Sequence, residues 1–124
     1  MAAKILLVED NPDNVKLMSW VLEDLECEIT HAPSGEAALD LISQHHFELI
    51  LMDVGLPGLN GEDTTRIIRR NREYASVPIV AVTAHALHSE VERIMSAGFT
   101  TLVTKPIDED SFLDIIKQLL PEKD

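Results

Sequence analysis

The sequence predicts a three-layer α/β fold, a parallel sheet of five strands with helices on both faces. Two observations carry this expectation. Apolar runs at 5–8, 49–52 and 79–82 are continuous rather than alternating, as strands covered on both faces require. Between them lie stretches with apolar residues at helical spacing, so strand and helix alternate along the chain, and that order implies right-handed crossovers and a parallel sheet.

Each element can be justified in turn. The run ILLV at 5–8 is the first strand, and Val15, Met18, Val21, Leu22 and Leu25 fall on one stripe of the first helix. A weaker run at 27–30 gives a second strand. Ser34 and Gly35 begin a second helix with the stripe Ala37, Ala38, Leu41 and Ile42. After the strand at 49–52, Ile67 and Ile68 anchor a third helix. The strand at 79–82 precedes a fourth helix anchored by Leu87, Val91, Ile94 and Met95, which Gly98 can end. The run at 101–103 is polar enough for an edge strand, and Phe112, Ile115, Ile116 and Leu119 stripe the fifth helix. No linker, repeat or low-complexity segment interrupts the pattern, so residues 1–124 read as one domain.

Composition limits the function classes. At 124 residues and 45% hydrophobic, one core needs no disulfide or metal staple. Cys27 has no second cysteine to pair with, which fits a reducing compartment. The apolar run before Glu9 is too short for a signal peptide or membrane span, so a soluble, cytoplasmic protein is expected. A formal net charge of -12 argues against direct nucleic-acid binding, which needs clustered cations. Arg66, Arg69, Arg70 and Arg72, interspersed with Glu62, Asp63 and Glu73, read as a solvated helix face.

In doubly wound sheets ligands bind beyond the carboxyl ends of the strands. The residues at those ends are Glu9 and Asp10, then Asp53, then Thr83 and Ala84, then Lys105 and Pro106. Three acids this close repel one another, by about 1–4 kcal/mol per pair near 4 Å in wet surroundings. A hard divalent cation such as Mg²⁺ or Mn²⁺ resolves that conflict better than Zn²⁺, which prefers nitrogen and sulfur. None of the five histidines pairs with these acids as a metal ligand; the adjacent His45 and His46 point to different helix faces and read as exposed residues at a helix end. A cation beside Asp53, an ammonium and a hydroxyl together trap a phosphoryl group, with Asp53 as the attacking carboxylate. The small Ala84 leaves room for a donor.

The stretches ILLVEDNPDN, LILMDVGLPGLNG, VPIVAVTAHA and TKPI in combination resemble, over the whole chain, the receiver domain of two-component response regulators. The resemblance implies a flavodoxin-like fold with strand order 2-1-3-4-5. It also implies that Asp53 accepts the phosphoryl group, that Glu9, Asp10, Asp53 and the backbone carbonyl of Gly55 hold Mg²⁺ or Mn²⁺, that Thr83 is the switch hydroxyl, and that Lys105 is the site lysine. Pro106 follows a cis peptide bond in such domains. A histidine kinase or histidine phosphotransfer protein is the implied donor and a downstream protein the implied target, with catalysis limited to the domain's own phosphorylation and dephosphorylation.

In the family an aromatic residue three positions before the lysine commonly follows the threonine inward; here Leu102 stands there. A leucine lacks the ring volume and polar tip, so phosphorylation should close Thr83 yet rearrange the surface around Leu102 less than usual. In such domains the positions two after the acceptor and two after the threonine flank the route of hydrolytic water, and here they are Gly55 and His85; the glycine leaves it open, and His85 either orients water or lines the rim. Trp20 lies about 140° around its helix from Val15, and reads either as partial packing on a neighbouring helix or as a partner contact.

Three rivals remain. A metal-dependent phosphohydrolase resembling the haloacid dehalogenase family needs a second acid two residues after the nucleophile, where Gly55 sits. A flavin-binding electron carrier needs phosphate-binding groups after the first strand, where Glu9 and Asp10 sit, and aromatic content is only 4%. The third is a receiver module from a hybrid kinase; the methionine start and the end just past the last helix favour a stand-alone protein.

Overall fold

The structure is a computed structural model that describes residues 2–84 and 87–120. Strands β1 (Ala3–Val8), β2 (Cys27–Ala32), β3 (Leu49–Asp53), β4 (Ile79–Thr83) and β5 (Thr101–Thr104) alternate with helices α1 (Pro12–Leu22), α2 (Gly35–Gln44), α3 (Gly61–Arg69), α4 (His88–Ser96) and α5 (Glu109–Leu119), and a 3-10 turn at Arg72–Tyr74 follows α3. All strand pairs are parallel and the order is β2-β1-β3-β4-β5. This is the flavodoxin-like order, with the polar β5 at one edge.

Alternation along each strand sorts its residues into two cores. Leu6, Val8, Ile50, Met52, Ile79 and Ala81 pack with Ala38, Ile42, Ile68 and Ile94 of α2, α3 and α4. Ile5, Leu7, Leu49, Leu51, Val80 and Val82 pack with Met18, Val21, Leu22, Phe112 and Ile116 of α1 and α5. β1, β3 and β4 are therefore apolar at nearly every position because both faces are covered.

Side chains start four of the helices. Asn11, Ser34, Asn60 and Asp108 accept from Asp13, Ala37, Asp63 and Ser111 N–H respectively, each satisfying an amide that the first turn leaves without a partner. Leu87, before α4, offers no such oxygen. Gly98 ends α4 at φ 111°, a backbone conformation disfavoured for L side chains.

Four expectations require correction. Leu25 lies beyond the end of α1, although it still packs against the core. Ile67 is 37% exposed, so the buried face of α3 is Ile68 together with Gly61, Thr64 and Thr65. Leu87 is 67% exposed, and Ile94 is the fully buried residue of α4. Arg69 does not belong to a solvated face: its guanidinium donates to the carbonyls of Gly98 (2.9 Å), Tyr74 (2.7 Å) and Val77 (2.6 Å) and to Thr100 Oγ1 (3.3 Å). A planar fork with five donors reaches several acceptors at once, so Arg69 ties α3 to the turns before β4 and β5.

Trp20 is 58% exposed. It lines a cavity of about 130 Å³ with Val21, Glu23, Asp24, Glu109 and Leu113, between α1 and α5. It is thus partly packed on a neighbouring helix while most of its surface faces outward.

Candidate functional site

Sheet register brings the predicted residues together. β1 and β3 pair with Val8 opposite Met52, and β3 and β4 with Asp53 opposite Val82. Glu9, immediately after β1, therefore stands beside Asp53. Val54 N–H donates to the Val82 carbonyl (3.0 Å) and Lys105 N–H to the Thr83 carbonyl (2.8 Å), continuing the ladders past the formal strand ends. α3 begins against the same edge, and there Gly61 is required, because a Cβ would collide with the Asp53 carbonyl and Val54. The peptide bond Lys105–Pro106 is cis.

Carboxylate oxygens of Glu9, Asp10 and Asp53 lie within 4.8 Å of one another, the one such grouping of possible metal ligands among the described residues. Glu9 and Asp53 are buried and Asp10 is exposed. Lys105 Nζ is 3.5 Å from Glu9 Oε1 and 3.5 Å from Asp53 Oδ2. Asp53 Oδ1 accepts from Gly55 N–H at 3.0 Å, and Glu9 Oε2 accepts from Asn11 N–H at 3.1 Å.

Burial pushes the Glu9 carboxyl up from its ordinary 4.5 to about 7. The Asn11 amide opposes that rise, Asp53 adds to it through a hydrogen bond and its charge, and Lys105 lowers it. Glu9 Oε1 is buried without a hydrogen-bond partner among the described residues, and such an oxygen is costly unless compensated. Clustered hard oxygens, one of them offset by the Lys105 ammonium 3.5 Å away rather than by a hydrogen bond, fit a hard divalent cation. His31 Nε2 lies 2.7 Å from the Glu9 carbonyl oxygen, and its ring stays outside the acidic grouping.

Beside these groups is a cavity of about 360 Å³ lined by Asp53, Val54, Gly55, Asn60, Thr83, Ala84 and Lys105. Thr83 is buried and Ala84 exposed at its wall. Leu102 is half-buried on β5 and packs against the core. It lines a separate groove with Pro106, Phe112 and Ile115. His85 lies outside the described residues.

Strand-end reasoning missed the far wall of the cavity, formed by Glu62 of α3 with Glu90 and Arg93 of α4. These are charged positions within helices, and their spacing carries no sign that two helix flanks meet over Asp53. Arg93 Nε is 3.2 Å from Glu62 Oε2.

Comparison with known proteins follows the same lines. Residues 5–117 match the response regulator receiver domain family. The chain is 38% identical over 120 residues to the polar-differentiation response regulator DivK of Brucella ovis, covering 97% of this chain and 98% of that one. It is also 38% identical over 118 residues to the sensor protein GacS of Pseudomonas syringae pv. syringae, covering 93% of this chain but only 13% of that protein. Among solved structures, the chemotaxis response regulator CheY4 of Vibrio cholerae aligns with a TM-score of 0.90 at 25% identity, over 97% of this chain and 100% of that one. The receiver domain of a sensor histidine kinase from Pseudomonas aeruginosa PAO1, which has a magnesium ion coordinated in its active-site cleft, aligns with a TM-score of 0.89 at 34% identity, over 96% and 98%. Nothing in these matches supports a phosphohydrolase or a flavin carrier. A family match spanning most of the chain, on this fold and at this sheet edge, has one reading: the protein belongs to the response regulator receiver domains, modules that switch signals by phosphorylation in two-component systems.

Proposed function

We propose that residues 1–124 act as one receiver domain in which Asp53 accepts a phosphoryl group from phosphohistidine. The reading rests chiefly on one observation, three carboxylates gathered within 4.8 Å with Lys105 Nζ 3.5 Å from two of them. An Asp53 oxygen attacks phosphorus, the bond from phosphorus to the donor nitrogen breaks, and an acyl phosphate forms. Lys105 and Thr83 offset charge on the phosphoryl oxygens as they arrive. Glu9, Asp10, Asp53 and the Gly55 carbonyl are the residues that would hold Mg²⁺ or Mn²⁺. Such an ion, when bound, supplies positive charge for the phosphoryl oxygens and relieves the repulsion among the acids. Catalysis is confined to the domain's own phosphorylation and dephosphorylation.

The switch follows from charge. A phosphoryl group adds about -1.5 to -2 charges and new acceptor oxygens. Thr83 and Lys105 read it, and the population shifts toward the packing that binds it better. Output passes through contacts with a downstream protein, and a histidine kinase or histidine phosphotransfer protein supplies the phosphate. The chain is strongly acidic, and among the described residues no helix is long and apolar enough to cross a membrane, which suits a cytoplasmic setting and protein partners rather than nucleic acid. Its similarity to part of the sensor protein GacS supports a second context, a receiver module within a hybrid kinase.

Treatment with acetyl phosphate, with and without Mg²⁺, followed by intact mass, tests the site. One Mg²⁺-dependent phosphoryl adduct in the wild type and none in Asp53→Asn is expected. An adduct that persists in Asp53→Asn would assign the acceptor elsewhere.

A further inference from the structure

The far wall of the Asp53 cavity carries a cation that the phosphorylation chemistry described above does not use. Arg93 projects from α4, with its side chain 58% exposed, and its Nε meets Glu62 Oε2 of α3 at 3.2 Å. The Glu62 side chain is only 13% exposed. Both residues, with Glu90, line the same cavity as Asp53, Thr83 and Lys105. Lys105 is already shared between Glu9 and Asp53. An anionic donor entering this cavity therefore passes Glu62 and Glu90, and Arg93 offsets their charge.

We propose that Arg93 is a specificity-determining residue that favours acyl phosphates, donors whose leaving group is a carboxylate. The inference rests on Asp53 being the acceptor. A guanidinium presents five donors in a planar fork that matches a carboxylate, and the one contact to Glu62, through Nε, engages a single edge of that fork. With acetyl phosphate, an Asp53 oxygen bonds to phosphorus, the bond from phosphorus to the acetyl oxygen breaks, and acetate departs with the electron pair, so that negative charge grows on the departing group within the cavity that Arg93 lines. With zwitterionic phosphoramidate the bond from phosphorus to nitrogen breaks and neutral ammonia departs, taking the protons it already carries. The imidazole of a phosphohistidine leaves likewise without a carboxylate. Arg93 thus separates donors by leaving-group charge, and gives the domain a response to small acyl phosphates distinct from its response to protein donors.

The test compares Arg93→Gln with wild type, measuring phosphorylation rate against donor concentration by intact mass in Mg²⁺, for acetyl phosphate and for phosphoramidate. Electrostatic guidance at a cleft alters capture by about ten-fold or more. Arg93→Gln should lower the second-order rate with acetyl phosphate by about five- to ten-fold while changing that with phosphoramidate by less than about two-fold. Equal losses with both donors would mean a structural role for the Glu62–Arg93 pair and would overturn the proposal, as would no change with either. Phosphoramidate labelling reports an intact acceptor site in the variant. A wild type labelled by neither donor, or an Asp53→Asn protein that still labels, would instead overturn the assignment of Asp53.

Discussion

Glu9 occupies a position that is costly for a carboxylate. Its carboxyl titrates near 7 rather than 4.5, chiefly because it is buried. The folded state therefore holds this proton more tightly than the unfolded chain does. Its contribution to stability is fully present below pH 4.5 and is lost as pH rises toward 7 and beyond, by an amount on the order of a few kcal/mol. Glu9→Gln removes that titration. In urea unfolding without divalent metal, the variant should match wild type near pH 4 and exceed it at pH 8 by about 1–3 kcal/mol; Mg²⁺ should shrink the gap by stabilising the wild type. Equal stability at both pH values would mean that the carboxylate is compensated within the protein. Arg69 is the opposite case, a charge put to structural use. Arg69→Ala strips donors from three carbonyls and a hydroxyl, and a loss of about 2–4 kcal/mol in the same assay is expected. A loss below about 0.5 kcal/mol would return it to the solvated face that its spacing suggests.

Among the elements, α4 is held least firmly. It buries only Ile94 fully and has no side-chain cap, whereas α1, α2, α3 and α5 each have one. It also follows Thr83 in the chain and contributes Arg93 to the cavity wall, so a loosely held helix adjoins the proposed site of charge change. Low local stability is where switching segments are found. Leu87 already has an extended backbone, φ -65° and ψ 147°, compatible with a capping residue. Leu87→Ser should stabilise the protein by about 0.5–1 kcal/mol and slow amide hydrogen exchange in α4 more than in α1 or α5. Uniform slowing across all helices would show that α4 does not open on its own.

Across the whole molecule, the two cores determine how far a phosphorylation signal can spread. Leu102 packs against the same apolar cluster as α2, α3 and α4, and it lacks the polar tip that draws an aromatic residue toward a moved threonine. A phosphoryl mimic at Asp53 should shift backbone amides near residues 83–84 and 104–105 strongly, and those at 100–103 weakly. Large shifts throughout 84–106 would show that the leucine moves as an aromatic residue does. The sequence by itself determined the element order, the parallel sheet and the strand-end residues Glu9, Asp10, Asp53, Thr83 and Lys105. These follow from local periodicity and from the rule that such sheets bind ligands at their carboxyl edge. Tertiary structure alone decided the fate of charged residues within helices. Arg66 and Arg69 share one helix and one spacing pattern, yet Arg66 pairs with Asp63 at the surface while Arg69 is drawn in by carbonyls from two distant turns. Glu62 and Arg93 are 31 positions apart and meet because α3 and α4 flank the same strands. Periodicity reports which face of a helix is apolar; partners from other segments exist only once the chain has closed on itself.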